Sequence, residues 1–192
     1  ALEQLASLPA RADLAVEVVR APAVGSGFNY SRLVNLGTAA ATTPLVLHLN
    51  NDVEALAPGW LEDMVGWMSV PGVGIVGAKL LYPDGTVNHA GISFGRDDHL
   101  AHVLFEGEPA EELGYLFLPH AARNVAAVTG ACLLTRADLY RELGGFDEAR
   151  LRVAYNDVDY CLRAAAAGHR TVISPQAVLR HVGSASRGNT YA

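Results

Sequence analysis

Residues 45–52, Leu45-Val46-Leu47-His48-Leu49-Asn50-Asn51-Asp52, constrain the fold more than any other stretch of the chain. A short aliphatic run, too brief for an ordinary helix, reads as a buried strand, and it stops at three polar residues ending in a carboxylate. In open α/β sheets, ligands bind just beyond the carboxyl ends of such strands. Asp52 is therefore a candidate to hold a metal or a phosphate-bearing ligand. Turn chemistry accounts for the same residues without any ligand, because Asn and Asp commonly close strands. The stretch alone leaves both explanations open.

Around it, strand and helix patterns alternate. Apolar positions over residues 1–8 suit the tail of an amphipathic helix stopped at Pro9, and the Val-rich residues 14–19 suit a strand. Asn29 can cap a helix through Leu33, Leu36 and Ala40. Pro58-Gly59 opens a second helix, whose Trp60, Met64, Trp67 and Met68 recur at the spacing of a core-facing stripe. Residues 73–82 form an apolar stretch, and Pro83-Asp84-Gly85 turns into residues 87–94. Residues 95–119 are polar, acidic and punctuated, and read as an excursion over the surface. A buried strand pattern returns over residues 125–134, followed by a helix over 136–143 with Gly144-Gly145 as its left-handed stop. Asn156-Asp157 opens the clearest helix, which ends at Gly168, and residues 171–174 and 178–182 look like two short strands. This alternation predicts a doubly wound α/β domain, with some antiparallel character from the hairpin.

Charge and composition remove several function classes. Fourteen Lys and Arg face twenty Asp and Glu, a formal net charge of −6, which argues against nucleic acid as the main partner. The hydrophobic fraction of 51% fits a packed core. No run approaches the roughly 18 apolar residues of a membrane-spanning helix. Cys132 and Cys161 are too few for a secreted disulfide scaffold, so a reducing compartment is the default.

Polar clusters fall at three predicted element ends: Asp52 after a strand, Asp157 with Asp159 in the first turn of a helix, and His181 in a late strand. Each has a plain structural explanation. A carboxylate near a helix N-terminus is stabilised by roughly 0.3–1 kcal/mol without any chemistry. Asp159 can cap, pair with Arg163 at i+4 or face solvent, and a single histidine such as His181 is commonly a hydrogen-bonded rim residue. Spacing by itself establishes no site.

Taken in order, the segments nonetheless resemble a family. They are Phe28-Asn29-Tyr30-Ser31-Arg32-Leu33-Val34-Asn35, Leu47-His48-Leu49-Asn50-Asn51-Asp52, Pro58-Gly59-Trp60-Leu61, Gly77-Ala78-Lys79-Leu80-Leu81-Tyr82-Pro83-Asp84-Gly85 and His89-Ala90-Gly91. Val128-Thr129-Gly130-Ala131-Cys132, Gly144-Gly145-Phe146-Asp147-Glu148, Tyr155-Asn156-Asp157-Val158-Asp159-Tyr160-Cys161-Leu162-Arg163 and His181 follow. The series is similar to the bacterial family 2 glycosyltransferases, particularly the rhamnosyltransferase-like branch that builds surface polysaccharides.

The resemblance implies a GT-A-type doubly wound mixed sheet and an inverting transfer from a nucleotide-diphosphate sugar to a saccharide or lipid-linked acceptor. It makes Asp52 a metal ligand in a DxD-type motif whose leading Asp is replaced by Asn50, with His181 as the second ligand and Mn2+ or Mg2+ as the cation. Asp157 becomes the base, with Asn156 and Asp159 on the acceptor side. Arg32, Asn35, Asn50, Asn51 and Gly130 become donor contacts. A cytoplasmic location is implied, with peripheral attachment at the inner membrane face as a variant. Relative to the family's pattern, a first strand-helix-strand unit of at least roughly 30 residues is missing. On that expectation, residues 1–27 are a remnant of the nucleotide-binding half and residues 28–192 carry the metal, donor-sugar and acceptor portion of a single partial domain. The excerpt is then expected not to work alone. The rival of another class is a non-catalytic GT-A-like module that binds carbohydrate or a partner, and a metal-dependent phosphoesterase using Asp52 and His181 is a further rival.

Overall fold

The structure is a computed structural model that describes residues 19–20, 27–95 and 102–182. In chain order the elements are α1 (Tyr30–Ala40), β1 (Leu45–Leu49), β2 (Val53–Ala55), α2 (Trp60–Trp67), β3 (Val73–Leu81), β4 (Val87–His89), β5 (Ile92–Ser93) and β6 (His102–Val103). A 3-10 turn (Tyr115–His120) precedes β7 (Arg123–Val125), β8 (Cys132–Arg136), α3 (Ala137–Glu142), α4 (Asn156–Ala166) and β9 (Arg170–His181). The helix tail expected over residues 1–8 lies outside the described residues. So does the strand over 14–19, apart from Val19, which has no regular structure.

Seven strands form one mixed sheet along the path β1-β8-β3-β9-β2, with β4 beside β3 and β7 beside β9. Its spine is the parallel pair β3 and β9, and the neighbours of both are antiparallel to them. All nine residues of β3 are buried, as expected of a central strand covered on both faces. Alternation along the strands divides the core in two. Ile75, Leu133 and Ile173 pack with Tyr140, Phe146, Tyr160 and Cys161 on one face. Val76, Leu134 and Val172 pack with Met64 and the flanks of Trp60, Trp67 and Met68 on the other. Helices thus cover both faces, the doubly wound arrangement expected, and the Trp/Met stripe of α2 is core packing.

Three boundaries differ from the sequence pattern. Residues 171–174 and 178–182 belong to one strand, because β9 stays paired with β3 on both sides of an irregularity between Ser174 and Val178 that accommodates Pro175. Residues 87–94 are split at Gly91, whose φ of +102° is a left-handed conformation that favours glycine. A Cβ at Gly91 would also meet Val125 at 2.6 Å. The run over 125–134 is interrupted too, with β7 ending at Val125 and β8 beginning at Cys132. The loop between them is buried, and periodicity cannot distinguish a buried loop from a buried strand.

Gly77 and Gly37 should respond to alanine in opposite directions. A Cβ at Gly77 in β3 would lie 2.5 Å from Val128, whereas one at Gly37 in α1 meets nothing within 4 Å. Gly77→Ala is expected to destabilise by about 1–3 kcal/mol, and Gly37→Ala to stabilise by about 0.5–1 kcal/mol. Urea unfolding of the two variants against the parent chain checks both signs.

Candidate active site

The end of β1 turns at once into β2. The Asn50 N–H donates to the Ala131 carbonyl (2.9 Å), and the Asn50 carbonyl accepts from the Val53 N–H (3.3 Å). Because β2 pairs with the end of β9, Val53 stands opposite His181, and the Val182 N–H donates to the Asp52 carbonyl (2.9 Å). This backbone clamp brings His181 Nε2 to 3.3 Å from Asp52 Oδ1. No hydrogen bond closes that gap: Asp52 Oδ1 is buried and has no hydrogen-bond partner. His181 is fixed from its other side, where Nδ1 stands 3.1 Å from Asn88 Oδ1.

An unpartnered buried carboxylate oxygen is costly unless something fills its place. Two ligand atoms about 2.1 Å from an octahedral cation and cis to each other stand about 3 Å apart, close to the spacing seen. One carboxylate oxygen and one imidazole nitrogen, the second ring nitrogen being hydrogen-bonded to an outer partner, also make a suitable donor set for Mn2+ or Mg2+. Among the described residues no cluster of three or more His, Cys, Asp or Glu side chains could hold a metal. The fit is therefore that of a cation which takes its remaining ligands from substrate phosphate and water.

Asp157 enters from α4. It does not cap the helix, since the N-cap is Tyr155, held at φ +61° with no side-chain capping bond. Asp157 Oδ2 accepts from the Gly130 N–H (2.7 Å), and Oδ1 accepts from the Val158 N–H (2.8 Å). Asp157 as a residue is half-buried. The Tyr30 hydroxyl lies 3.1 Å from the Gly130 carbonyl and 3.0 Å from Asn50 Oδ1. A continuous chain of contacts thus joins Asp157, Gly130, Tyr30 and Asn50, ending two residues before Asp52. A Cβ at Gly130 would find only ordinary contacts, 3.5 Å from Asp157 Cβ and 3.6 Å from both Asp157 Oδ2 and the Tyr30 hydroxyl.

Other expected site residues have different surroundings. Asn35 is tied into the Gly144-Gly145 turn: its Oδ1 accepts from the Tyr140 hydroxyl (2.7 Å) and the Phe146 N–H (3.0 Å), and its amide donates to the Phe146 carbonyl (2.9 Å). Asn156 is buried and donates to Ser31 Oγ (2.9 Å) and the Leu151 carbonyl (3.3 Å), which takes its side chain away from an acceptor. Asp159 adopts the i+4 pairing, 2.8 Å from the Arg163 guanidinium. Asn35, Asp159 and Arg163 line a cavity of about 730 Å³ that includes none of Asp52, Asp157 and His181. Arg32 is half-buried on α1 and Asn51 is exposed at the turn. No contact among the described residues ties either side chain to the Asp52–His181 pair.

Tyr30, Asn88 and His89 escaped the sequence reading. His89 is buried, and its Nε2 accepts from the Thr129 N–H (3.3 Å), which steadies the loop that carries Gly130. Tyr30 and His89 lie inside motifs that carry the family resemblance, but neither has a spacing that marks a role.

The mixed sheet with helices on both faces is shared with solved glycosyltransferases and is the GT-A fold. Solved structures with this fold include GalNAc-T7 with UDP, GalNAc and Mn2+ (TM-score 0.61, 13% identity, 80% of this chain and 30% of that one). Another is a mannosyltransferase from Pyrobaculum calidifontis in complex with GDP-Man and Mn2+ (TM-score 0.51, 18% identity, 84% and 37%). The profile of "Glycosyltransferase like family 2" matches residues 10–191, and the chain belongs to that family. It is 40% identical over 163 residues to the O-antigen biosynthesis protein RfbC of Myxococcus xanthus, covering 83% of this chain and 12% of the relative. It is 31% identical over 147 residues to a pre-mycofactocin glycosyltransferase of Mycobacterium tuberculosis, covering 77% and 28%. An uncharacterized Sinorhizobium fredii protein, y4gI, is 44% identical over 164 residues, covering 84% and 18%. The chain thus spans between 12% and 28% of the length of these curated relatives. Among the described residues no helix is long and apolar enough to cross a membrane.

Two buried histidines next to this site set a pH dependence. Burial lowers the pKa of His48 from 6.5 to about 4. Burial, then the charges of Arg123 and His181, lowers that of His89 from 6.5 to about 3. Both take up protons on unfolding at mildly acid pH, so their contribution to stability is complete above pH 6.5 and is lost as pH falls toward 4. The slope is about 1.4 kcal/mol per pH unit for each histidine. Unfolding free energies measured in urea at a series of pH values should decline through this window, and His48→Gln should flatten the decline.

Proposed function

We propose that this chain is the metal-and-acceptor portion of an inverting glycosyltransferase, which moves a sugar from a nucleotide-diphosphate donor to a hydroxyl of a saccharide or lipid-linked acceptor in surface polysaccharide synthesis. The observation that carries the reading is the Asp157–Gly130–Tyr30–Asn50 chain, which ties the candidate base to the strand end that bears Asp52.

In this reading Asp52 and His181 hold a divalent cation, Mn2+ or Mg2+, against the donor diphosphate. When bound, that cation neutralises charge growing on the departing diphosphate. Asp157, oriented by the Gly130 and Val158 N–H groups, takes the proton of the acceptor hydroxyl. The acceptor oxygen then bonds to the anomeric carbon as the bond from that carbon to the phosphate oxygen breaks, and the electron pair leaves with the nucleoside diphosphate. Attack from the face opposite the leaving group inverts the anomeric centre. Gly130, with no side chain of its own beside Asp157, lets the donor sugar come close to the backbone there. Acceptor choice belongs to the excursion over residues 95–119, which carries the exposed Tyr115, Leu116 and Phe117. A cytoplasmic location follows from the nucleotide-sugar donor.

Two substitutions test the reading in the protein that carries this chain. Asp157→Asn should reduce transfer by roughly 10²–10⁴-fold with nucleotide and Mn2+ binding retained. Gly130→Ala should leave the thermal midpoint unchanged and reduce transfer, because its Cβ occupies the sugar's space. Nucleoside diphosphate released only when a sugar acceptor is present excludes the phosphoesterase. A non-catalytic module predicts no transfer by the parent protein and unchanged ligand binding by Asp157→Asn.

A further inference from the structure

Asn88 sits at the centre of β4, between Val87 and His89, which are both almost fully buried. Alternation along the strand sends its side chain to the opposite side from theirs, so its direction is set by the burial of its neighbours. The last pairs of β3 are Leu81 with Val87 of β4 and Leu81 with Arg180 of β9. His181 therefore lies one residue past the end of the central pairing, where its imidazole meets Asn88 Oδ1 at 3.1 Å.

The end of the Asn88 amide that faces His181 is the oxygen, which stands beside Nδ1, and an amide oxygen only accepts. An oxygen at that place accepts the Nδ1–H of the imidazole and directs the Nε2 lone pair toward Asp52 Oδ1, 3.3 Å away and without a partner of its own. Sequence pattern gives no hint of this, since Asn88 precedes the His89-Ala90-Gly91 motif and has no ligand spacing.

We propose that Asn88 is a positioning residue for the cation site, holding His181 in the Nδ1–H form with Nε2 aimed at the ion shared with Asp52. The proposal rests on the assignment of Asp52 and His181 as cation ligands, and it adds a residue that touches neither ion nor substrate. Outer partners of metal-bound histidines typically contribute roughly 10–100-fold to metal affinity.

The test uses the whole chain with Mn2+ alone as probe, the bound fraction being read from the electron paramagnetic resonance signal of the free ion. Asn88→Ala should weaken Mn2+ binding by roughly 10–100-fold and leave the thermal midpoint of the metal-free chain within the spread of replicates. Asn88→Asp, which keeps an acceptor facing Nδ1, should retain the parent affinity within a few-fold. Long-range proton–nitrogen correlation spectra of the metal-free chain should show His181 as the Nδ1–H form in the parent and in Asn88→Asp, with the Nε2–H form gaining population in Asn88→Ala. If Asp52→Ala and His181→Ala lose Mn2+ while Asn88→Ala binds it like the parent, the positioning role is overturned and the cation site stands. If the parent binds no Mn2+, or if Asp52→Ala and His181→Ala bind it unchanged, the cation site fails and the positioning role falls with it.

Discussion

The three-residue pairing of β2 with the end of β9 is the contact on which the rest of the site depends. Asp52 and His181 are far apart in the chain, and each lies next to an element end where side-chain direction is easily lost. Pairing Val53 with His181, and closing the Val182 N–H onto the Asp52 carbonyl, removes that freedom at the backbone level. The side chains then need only ordinary rotamers to face one another. β9 can supply His181 there because it pairs from Arg170 to Arg180 with β3, the fully buried strand of the sheet. The deepest part of the fold thereby sets the position of the Asp52–His181 pair.

Asp157 is placed by a different device. Its helix begins after a residue held at positive φ, and its carboxylate accepts from two backbone N–H groups, that of Val158 in its own first turn and that of Gly130 on another element. Gly130 lies in the buried loop between β7 and β8, and the loop is itself held by His89 at Thr129 and by the Asn50 N–H at Ala131. A loop with so many bonds behaves as a rigid part of the scaffold, and it explains how a carboxylate at a helix start can face a strand end. A Cβ at position 130 would make only ordinary contacts, so packing and backbone strain do not by themselves demand a glycine there.

The strand end at Asp52, the helix opened by Asn156-Asp157, the stripe of α2 and the α/β class were all legible in the sequence, because each rests on local periodicity or on turn chemistry. The merging of two short strands into β9 was not, since Pro175 interrupts the pattern while the pairing with β3 continues past it. The same limit explains Asn35 and Asn156. Both occupy positions that the family resemblance assigns to ligands, yet Asn35 is satisfied by Tyr140 and Phe146 and Asn156 in part by Ser31, each more than a hundred residues away in the chain. Long-range satisfaction of a polar side chain leaves no mark at short spacing. Tyr30 and Asn88 were missed for the converse reason, as their partners come from other elements and nothing local marks them.

Charge adds a last constraint. Amides occupy several places around the site where acids could stand: Asn50 and Asn51 beside Asp52, Asn88 behind His181, and Asn156 next to Asp157. His89 is held uncharged by burial, and Arg123 donates to the carbonyls of Leu118, Ala121 and Ala90. Lys79 is likewise turned onto the Ala110 carbonyl. The acids that stand among these amides are Asp52, beside the histidine, and Asp157, beside the Gly130 and Val158 N–H groups. Carboxylates gathered more closely would repel one another and raise the cost of burying them. Amides supply hydrogen-bond acceptors of the same kind without that cost.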